Sequence, residues 1–164
     1  MEIRLANLDD YASVKKVYES VIADLKERNI AMWTGDYPLN VIKNDIENNL
    51  MYVLVDDSEV LGCFTLLEND EQYQTVKWQA STFDSLYIER LVINPRKQGR
   101  GLSKVIMNHI VNEIGQNYSV IRLTVLTTNE RAISLYKKYG FLEVDRGTHM
   151  TKSGREASAM EKVK

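Results

Sequence analysis

Residues 86–101 read LYIERLVINPRKQGRG, and the fold turns on how this stretch divides. Tyr87, Ile88, Leu91, Val92 and Ile93 favour a strand, Asn94-Pro95 stops it, and Gly99 and Gly101 let backbone approach a ligand closely. Leu102, Val105, Ile106, Ile110 and Ile114 then recur at helical spacing, so a helix is expected from residue 102 to about residue 117. The loop 96–101 therefore opens on a helix N-terminus, where free N–H groups and the macrodipole attract negative charge. Arg96, Lys97, Arg100 and Lys104 add cations, which makes the stretch an anion cradle that holds a phosphate by backbone first and side chains second. Two better-defined phosphate motifs do not fit. A P-loop would need G-x-x-x-x-G-K-[ST], and the dinucleotide fingerprint would need a third glycine where Lys104 stands.

At 164 residues, 44% hydrophobic and 27% charged, the chain fits a single domain with a core of ordinary size. Net charge is −2, so the basic cradle is a local feature. It suits a small anionic ligand, and neither nucleic acid nor a membrane surface is expected as a partner. Cys63 is the one cysteine, which leaves no internal disulfide. It sits in VLGCFTLL, where a thiol is an inert small hydrophobe. The opening MEIRLANLDD lacks the apolar run of a signal peptide, and no stretch approaches a membrane span, so a cytoplasmic location is expected. His109 and His149 lack metal-spaced partners, and no metal is expected.

Before the cradle, residues 1–5 read as a strand, Asn7 to Asp10 as caps, and Tyr11, Val14, Val17, Tyr18, Val21, Ile22 and Leu25 as the buried stripe of a helix through about Arg28. Residues 29–38, NIAMWTGDYP, break the period and set Trp33 and Tyr37 on either side of Gly35, ahead of a helix over 39–49. Trp33 either plugs the core edge or lines an acceptor pocket. Residues 51–55 and 60–67 read as a hairpin across a polar turn, and 69–82 as a loop or weak strand. After the cradle helix, 120–126 is a strand parallel to the one before it; Asn129 caps a helix over 130–139 that Gly140 ends, and 141–144 can pair with 157–163.

Two segments, RKQGRG after IERLVINP and TTNERAISLYKKYGF, resemble the pyrophosphate loop and the N-x-x-A-x-x-x-Y-x-x-x-G-F signature of the GNAT N-acetyltransferases, and the element order is similar over nearly the whole chain. The resemblance implies an α/β (α+β) GNAT fold, a mixed twisted sheet of about six to seven strands flanked by about four helices, with the central parallel strands splayed apart. It implies acetyl-CoA as cosubstrate, held by Leu91, Val92, Ile93, Arg96, Lys97, Gln98, Gly99, Arg100, Gly101, Leu102, Ser103, Asn129 and Tyr136, with the pantetheine arm pairing to backbone at Leu91 and Ile93. It also implies that Asn129 hydrogen-bonds the pantetheine, that Tyr136 protonates the departing thiolate, and that the protein is a monomer or homodimer. Asn129 and Tyr136 are seven residues apart, about two turns, and so share a helix face.

A base must take the proton of an ammonium acceptor. Glu89 interrupts an apolar strand two residues before Leu91, where alternation puts both on one face. Either Glu89 is that base or it sits in an ion pair while water relays the proton. Trp33 and Tyr37-Pro38, ahead of the second helix, match a feature of several relatives of this type and suggest an uncharged lining for a small amine or a peptide N-terminus. The expected activity is acetyl transfer from acetyl-CoA to a primary amine by direct attack, since no activated Cys or Ser presents itself. The alternative is a CoA-binding regulatory module that has lost turnover.

Overall fold

The computed structural model describes residues 1–82 and 84–164. Among the described residues eight strands and four α-helices follow in the order β1 (Glu2–Leu5), α1 (Tyr11–Glu27), α2 (Leu39–Glu47), β2 (Met51–Asp56), β3 (Glu59–Leu67), β4 (Ser85–Ile93), α3 (Leu102–Asn112), β5 (Val120–Leu126), α4 (Glu130–Lys138), β6 (Leu142–Glu143), β7 (His149–Met150) and β8 (Glu156–Val163). The hydrogen-bonded strand order is β1-β2-β3-β4-β5-β8-β6, with β7 also on β8. The sheet is mixed. β1, β2 and β3 pair antiparallel, β4 and β5 run parallel in the register Ser85↔Val120 to Tyr87↔Arg122, and β8 returns antiparallel along the whole of β5.

The chain packs as two compact units, one of Met1–Leu66 with Glu89–Ile106 and one of Leu67–Ile88 with Met107–Lys164. The first unit has a core of Ala6, Val14, Val17, Tyr18, Ile42, Ile46, Met51, Val53, Val60, Cys63 and Val92. Those positions are the apolar stripes of α1 and α2 set against inward residues of β2, β3 and the end of β4. Asn7 starts α1 through a 3₁₀ turn: its side chain accepts from Asp9 N–H, and Asp10 accepts from Asn7 N–H at 2.8 Å. The β2–β3 hairpin turns at Asp57 and Ser58, both in the left-handed region at φ 45° and 66°, the mirror-image geometry that matches strand twist. Gly62 lets β3 lie against its neighbours, since a Cβ there would meet Val92 O at 2.9 Å.

The second unit buries Leu86, Ile110, Val120, Leu123, Phe141 and Met160. The cradle helix stops at Asn112, short of the expected residue 117, and a 3₁₀ turn covers Ile114–Asn117. The reason is local: a Cβ at Gly115 would collide with the Ile121 side chain, so the backbone there is pressed against β5 and leaves the α-helical path. Residues 69–82 form no strand. They hold a 3₁₀ turn, Glu71–Tyr73, and a loop fixed by the buried Arg122, which donates to Ala80 O at 2.6 Å and to the Tyr87 hydroxyl at 3.1 Å. The guanidinium lies 4.8 Å over the Trp78 ring, and Glu161 accepts from Gln79 and Ala80 N–H. No helix among the described residues is long and apolar enough to cross a membrane.

Candidate active site

In the first unit β4 leads straight into the cradle. Asn94 N–H donates to Leu61 O at 2.8 Å, its side chain accepts from Arg96 N–H, and Pro95–Lys97 forms a single 3₁₀ turn. Gly99 and Gly101 follow at φ 81° and 72°, where an L side chain is strained, and a Cβ on either would meet nothing within 4 Å. Gly101 O accepts from Lys104 and Val105 N–H, so Gly101 caps α3. None of the N–H groups of residues 99–103 has a hydrogen-bond partner among the described residues. Five consecutive donors thus run from the exposed residues 99–101 into the first turn of an eleven-residue helix.

The side chains named from the sequence contribute unequally. Arg96, Gln98 and Arg100 are exposed beside the loop. Lys97 is instead paired with Glu59 at 2.9 Å, which spends its charge on the β3 side of the turn. Leu102 is buried and can offer a ligand only its N–H, while Ser103 is half-buried. Leu91 and Ile93 are half-buried and Val92 lies in the core.

Glu89 is buried at 7% exposure. The alternation that would put it on the face of Leu91 fails, because Arg90 between them adopts φ 52° and breaks the pleat. The carbonyl of Arg90 is taken by the Tyr18 hydroxyl at 2.7 Å. Its guanidinium meets Asp45 Oδ2 through Nε at 2.9 Å and Nη2 at 2.8 Å, and Nη1 donates to the Tyr37 hydroxyl at 3.0 Å. Asp45 Oδ2 also accepts from Thr65 Oγ1 at 2.9 Å. Burial opposes the charge of Arg90, but the Tyr37 oxygen, Asp45 and Glu89 outweigh it and hold the guanidinium's proton above the ordinary range. Burial raises the Tyr37 hydroxyl above an ordinary phenol against the pull of Arg90. Trp33 packs between two tyrosines, 6.1 Å from Tyr18 and 6.3 Å edge-on from Tyr37. It also lines a cavity of about 440 Å³ with Ile22, Leu25, Ile30 and Met32. Cys63 is fully buried and its thiol is pushed far up by that burial, which makes it a core residue and no nucleophile.

Asn129 and Tyr136 belong to the second unit. Asn129 Oδ1 caps α4 by accepting from Ala132 N–H at 3.2 Å, which leaves the amide NH₂ for another partner. Tyr136 is half-buried on α4, its ring 6.0 Å from Phe141. Asn129 is the N-cap just before α4, and Tyr136 lies within the helix. Sequence reasoning missed Asp45, Thr65 and Arg90 in the first unit and Arg122 and Glu161 in the second. The available signal was a charged residue among apolar neighbours: NVIKNDIE, LYIERLVI, VIRLTVL and ASAMEKV.

The acetyltransferase (GNAT) family model matches residues 17–141, which takes in the cradle and α4. This chain belongs to the GNAT acetyltransferase family. Solved GNAT structures share its fold. An acetyltransferase from Streptococcus agalactiae aligns at 21% identity over 99% of this chain and 95% of its own, with a TM-score of 0.85. A ribosomal-protein-alanine N-acetyltransferase from Brucella melitensis aligns at 16% identity over 100% of both chains, TM-score 0.72. A chimera of the spermidine N-acetyltransferase from Vibrio cholerae aligns at 17% identity over 99% of this chain and 96% of its own, TM-score 0.67. No curated protein sequence matches the chain. The GNAT fold is thus common to proteins named for unlike acceptors.

Proposed function

We propose that the protein transfers an acetyl group from acetyl-CoA to a primary amine of a small molecule or a peptide N-terminus by direct attack. The observation that carries this reading is the run of five unpartnered N–H groups at residues 99–103 opening on α3. Such a run gives a pyrophosphate oriented backbone donors that it would otherwise have to find in water.

Bound acetyl-CoA supplies the activated acetyl thioester. Gly99 and Gly101 admit the pyrophosphate without a Cβ in its way, and the exposed Arg96 and Arg100 add charge. The backbone of Leu91 and Ile93 offers strand-like pairing to the pantetheine arm, and the NH₂ of Asn129 donates to one of its carbonyls. Glu89, held near Arg90 and Tyr37, takes the proton of the acceptor ammonium, directly or through water, and Trp33 and Tyr37 form the acceptor wall. Tyr136 gives its hydroxyl proton to the departing thiolate.

The test is acetyl-CoA-dependent thiol release across a panel of primary amines and short peptides with alanine N-termini, beside calorimetry of acetyl-CoA binding. Turnover with at least one acceptor and a dissociation constant in the micromolar range, roughly −7 to −9 kcal/mol, are expected. Binding without turnover on any acceptor would favour the regulatory module, and absence of binding would overturn both.

A further inference from the structure

Arg90, Asp45 and Thr65, whose polar side chains are buried together, lie outside the roles just assigned. Arg90 is a strand residue in a left-handed backbone conformation, and both its carbonyl and its guanidinium are engaged. Its carbonyl is held by Tyr18, two of its nitrogens by one oxygen of Asp45, and a third donates to the Tyr37 hydroxyl. Asp45 comes from α2 and is steadied by Thr65 on β3. The guanidinium is therefore held by α2 through Asp45, with β3 behind that carboxylate, and what it presents to the loop before α2 is a donor. Tyr37 in turn stands edge-on to Trp33, whose other face meets Tyr18, the residue that holds the Arg90 carbonyl. The contacts close a ring: Arg90 backbone, Tyr18, Trp33, Tyr37, Arg90 side chain.

An ion pair kept only for stability would need no third partner, and a buried Arg–Asp pair is a poor source of net stability because desolvation opposes it. Its value lies in direction. Residues 29–38 carry large side chains on irregular backbone, and Tyr37 ties this loop to the neighbour of Glu89 both by that hydrogen bond and by its ring, whose centroid lies 5.9 Å from the guanidinium carbon. We propose that Arg90, oriented by Asp45, is a positioning residue that fixes the Tyr37–Trp33 wall against the strand bearing Glu89 and so sets the affinity for the acceptor. The proposal rests on the transferase reading above and adds a residue that touches neither cosubstrate nor reacting atoms.

The test uses the full chain labelled with 5-fluorotryptophan, whose two resonances are assigned with Trp33→Phe, and compares parent, Tyr37→Phe and Arg90→Lys. Tyr37→Phe keeps the ring, its place beneath the guanidinium and the ion pair but removes the hydrogen bond. Arg90→Lys keeps the charge against Asp45 but lacks the second fork to reach Tyr37. With benzylamine and an alanine-initiated tetrapeptide as acceptors, both variants should raise the acceptor KM about tenfold, the scale of a lost hydrogen bond to a charged donor. In both, kcat and the acetyl-CoA KM should stay within about twofold, and the Trp33 fluorine resonance should shift or broaden while the Trp78 resonance stays. An unchanged Trp33 resonance in Tyr37→Phe overturns the proposal, and so does a shifted resonance with an unchanged acceptor KM. If the parent turns over no acceptor of the wider panel, the transferase reading fails in the parent itself, while the Trp33 resonance still decides whether Arg90 holds the wall: unchanged in both variants, it overturns the proposal.

Discussion

Gly101 and Gly154 make a matched pair that separates backbone strain from ligand contact. Both adopt positive φ, 72° and 75°, and a Cβ on either would meet nothing within 4 Å. Alanine at either site should cost about 1–2 kcal/mol from the left-handed conformation alone. Only Gly101→Ala places a methyl group at the mouth of the cradle, so acetyl-CoA binding by calorimetry should weaken at least tenfold there and stay at the parent value in Gly154→Ala. Equal binding losses would mean that strain alone is being read. Tyr136→Phe asks about chemistry. It keeps the half-buried ring against Phe141, so the melting temperature should hold within about a degree. Thiolate is a good leaving group, so kcat should fall about ten- to a hundredfold, at the lower end of general-acid effects, with binding unchanged. A variant as fast as the parent would leave Tyr136 a packing residue. Glycines and the Asn-to-Tyr spacing were legible because their meaning is local. The pairs Arg90–Asp45 and Arg122–Glu161 were not, because they join positions 45 and 39 residues apart. A charge inside an apolar strand announces a partner without saying where it is.

Among the elements, α1 begins with the most complete local signal. Asn7 and Asp10 cap each other's backbone, and Arg4 donates to both carboxylate oxygens of Asp10 at 2.7 and 2.9 Å. The hydrogen bond from Arg4 holds the Asp10 carboxyl below its ordinary value, partly offset by burial. The sign follows from linkage. A depressed folded value means stability that is present above the unfolded value near 3.9 and is lost as pH falls through the folded one. Asp10→Ala should therefore cost about 1 kcal/mol at pH 7, some 2–4 °C in melting temperature, and the gap between parent and variant should close below about pH 4. A gap that stays constant from pH 7 to pH 3 would assign the effect to the helix cap alone. Element order, type and most boundaries were legible from periodicity and caps. The end of α3 was missed because Ile114 continues the apolar period while Gly115 is pressed onto Ile121, a contact no helical period contains. The pairing of 141–144 with 157–163 was legible and appears as β6 on β8, whereas β7 escaped because a strand of two residues is too short to alternate.

On the scale of the whole molecule, ligand binding is read as stability. At a hundredfold excess over its dissociation constant, acetyl-CoA should add about 2.7 kcal/mol and raise the melting temperature by roughly 5–10 °C. ADP-ribose, which also carries a pyrophosphate but no pantetheine arm, should raise it much less. Equal shifts from the two would confine recognition to the cradle. The order of strands and helices was readable end to end because each βα step in the sequence carries its own punctuation. The packing into two units was not, since one unit boundary falls inside β4, between Ile88 and Glu89, where the sequence stays continuously apolar up to the acid.

Cys63 gives the bench a quiet background. Acetyl transfer is followed most simply by letting the released thiol cleave a chromogenic disulfide, and an enzyme with exposed cysteines would discolour that assay by itself. Here the chain's one sulfhydryl is shut in the core of the first unit and held as the unreactive thiol, so the colour that develops belongs to CoA. Left without substrate, the same reagent becomes a clock. Any slow colour then counts the moments when that unit opens, and saturating acetyl-CoA should stretch the interval between them.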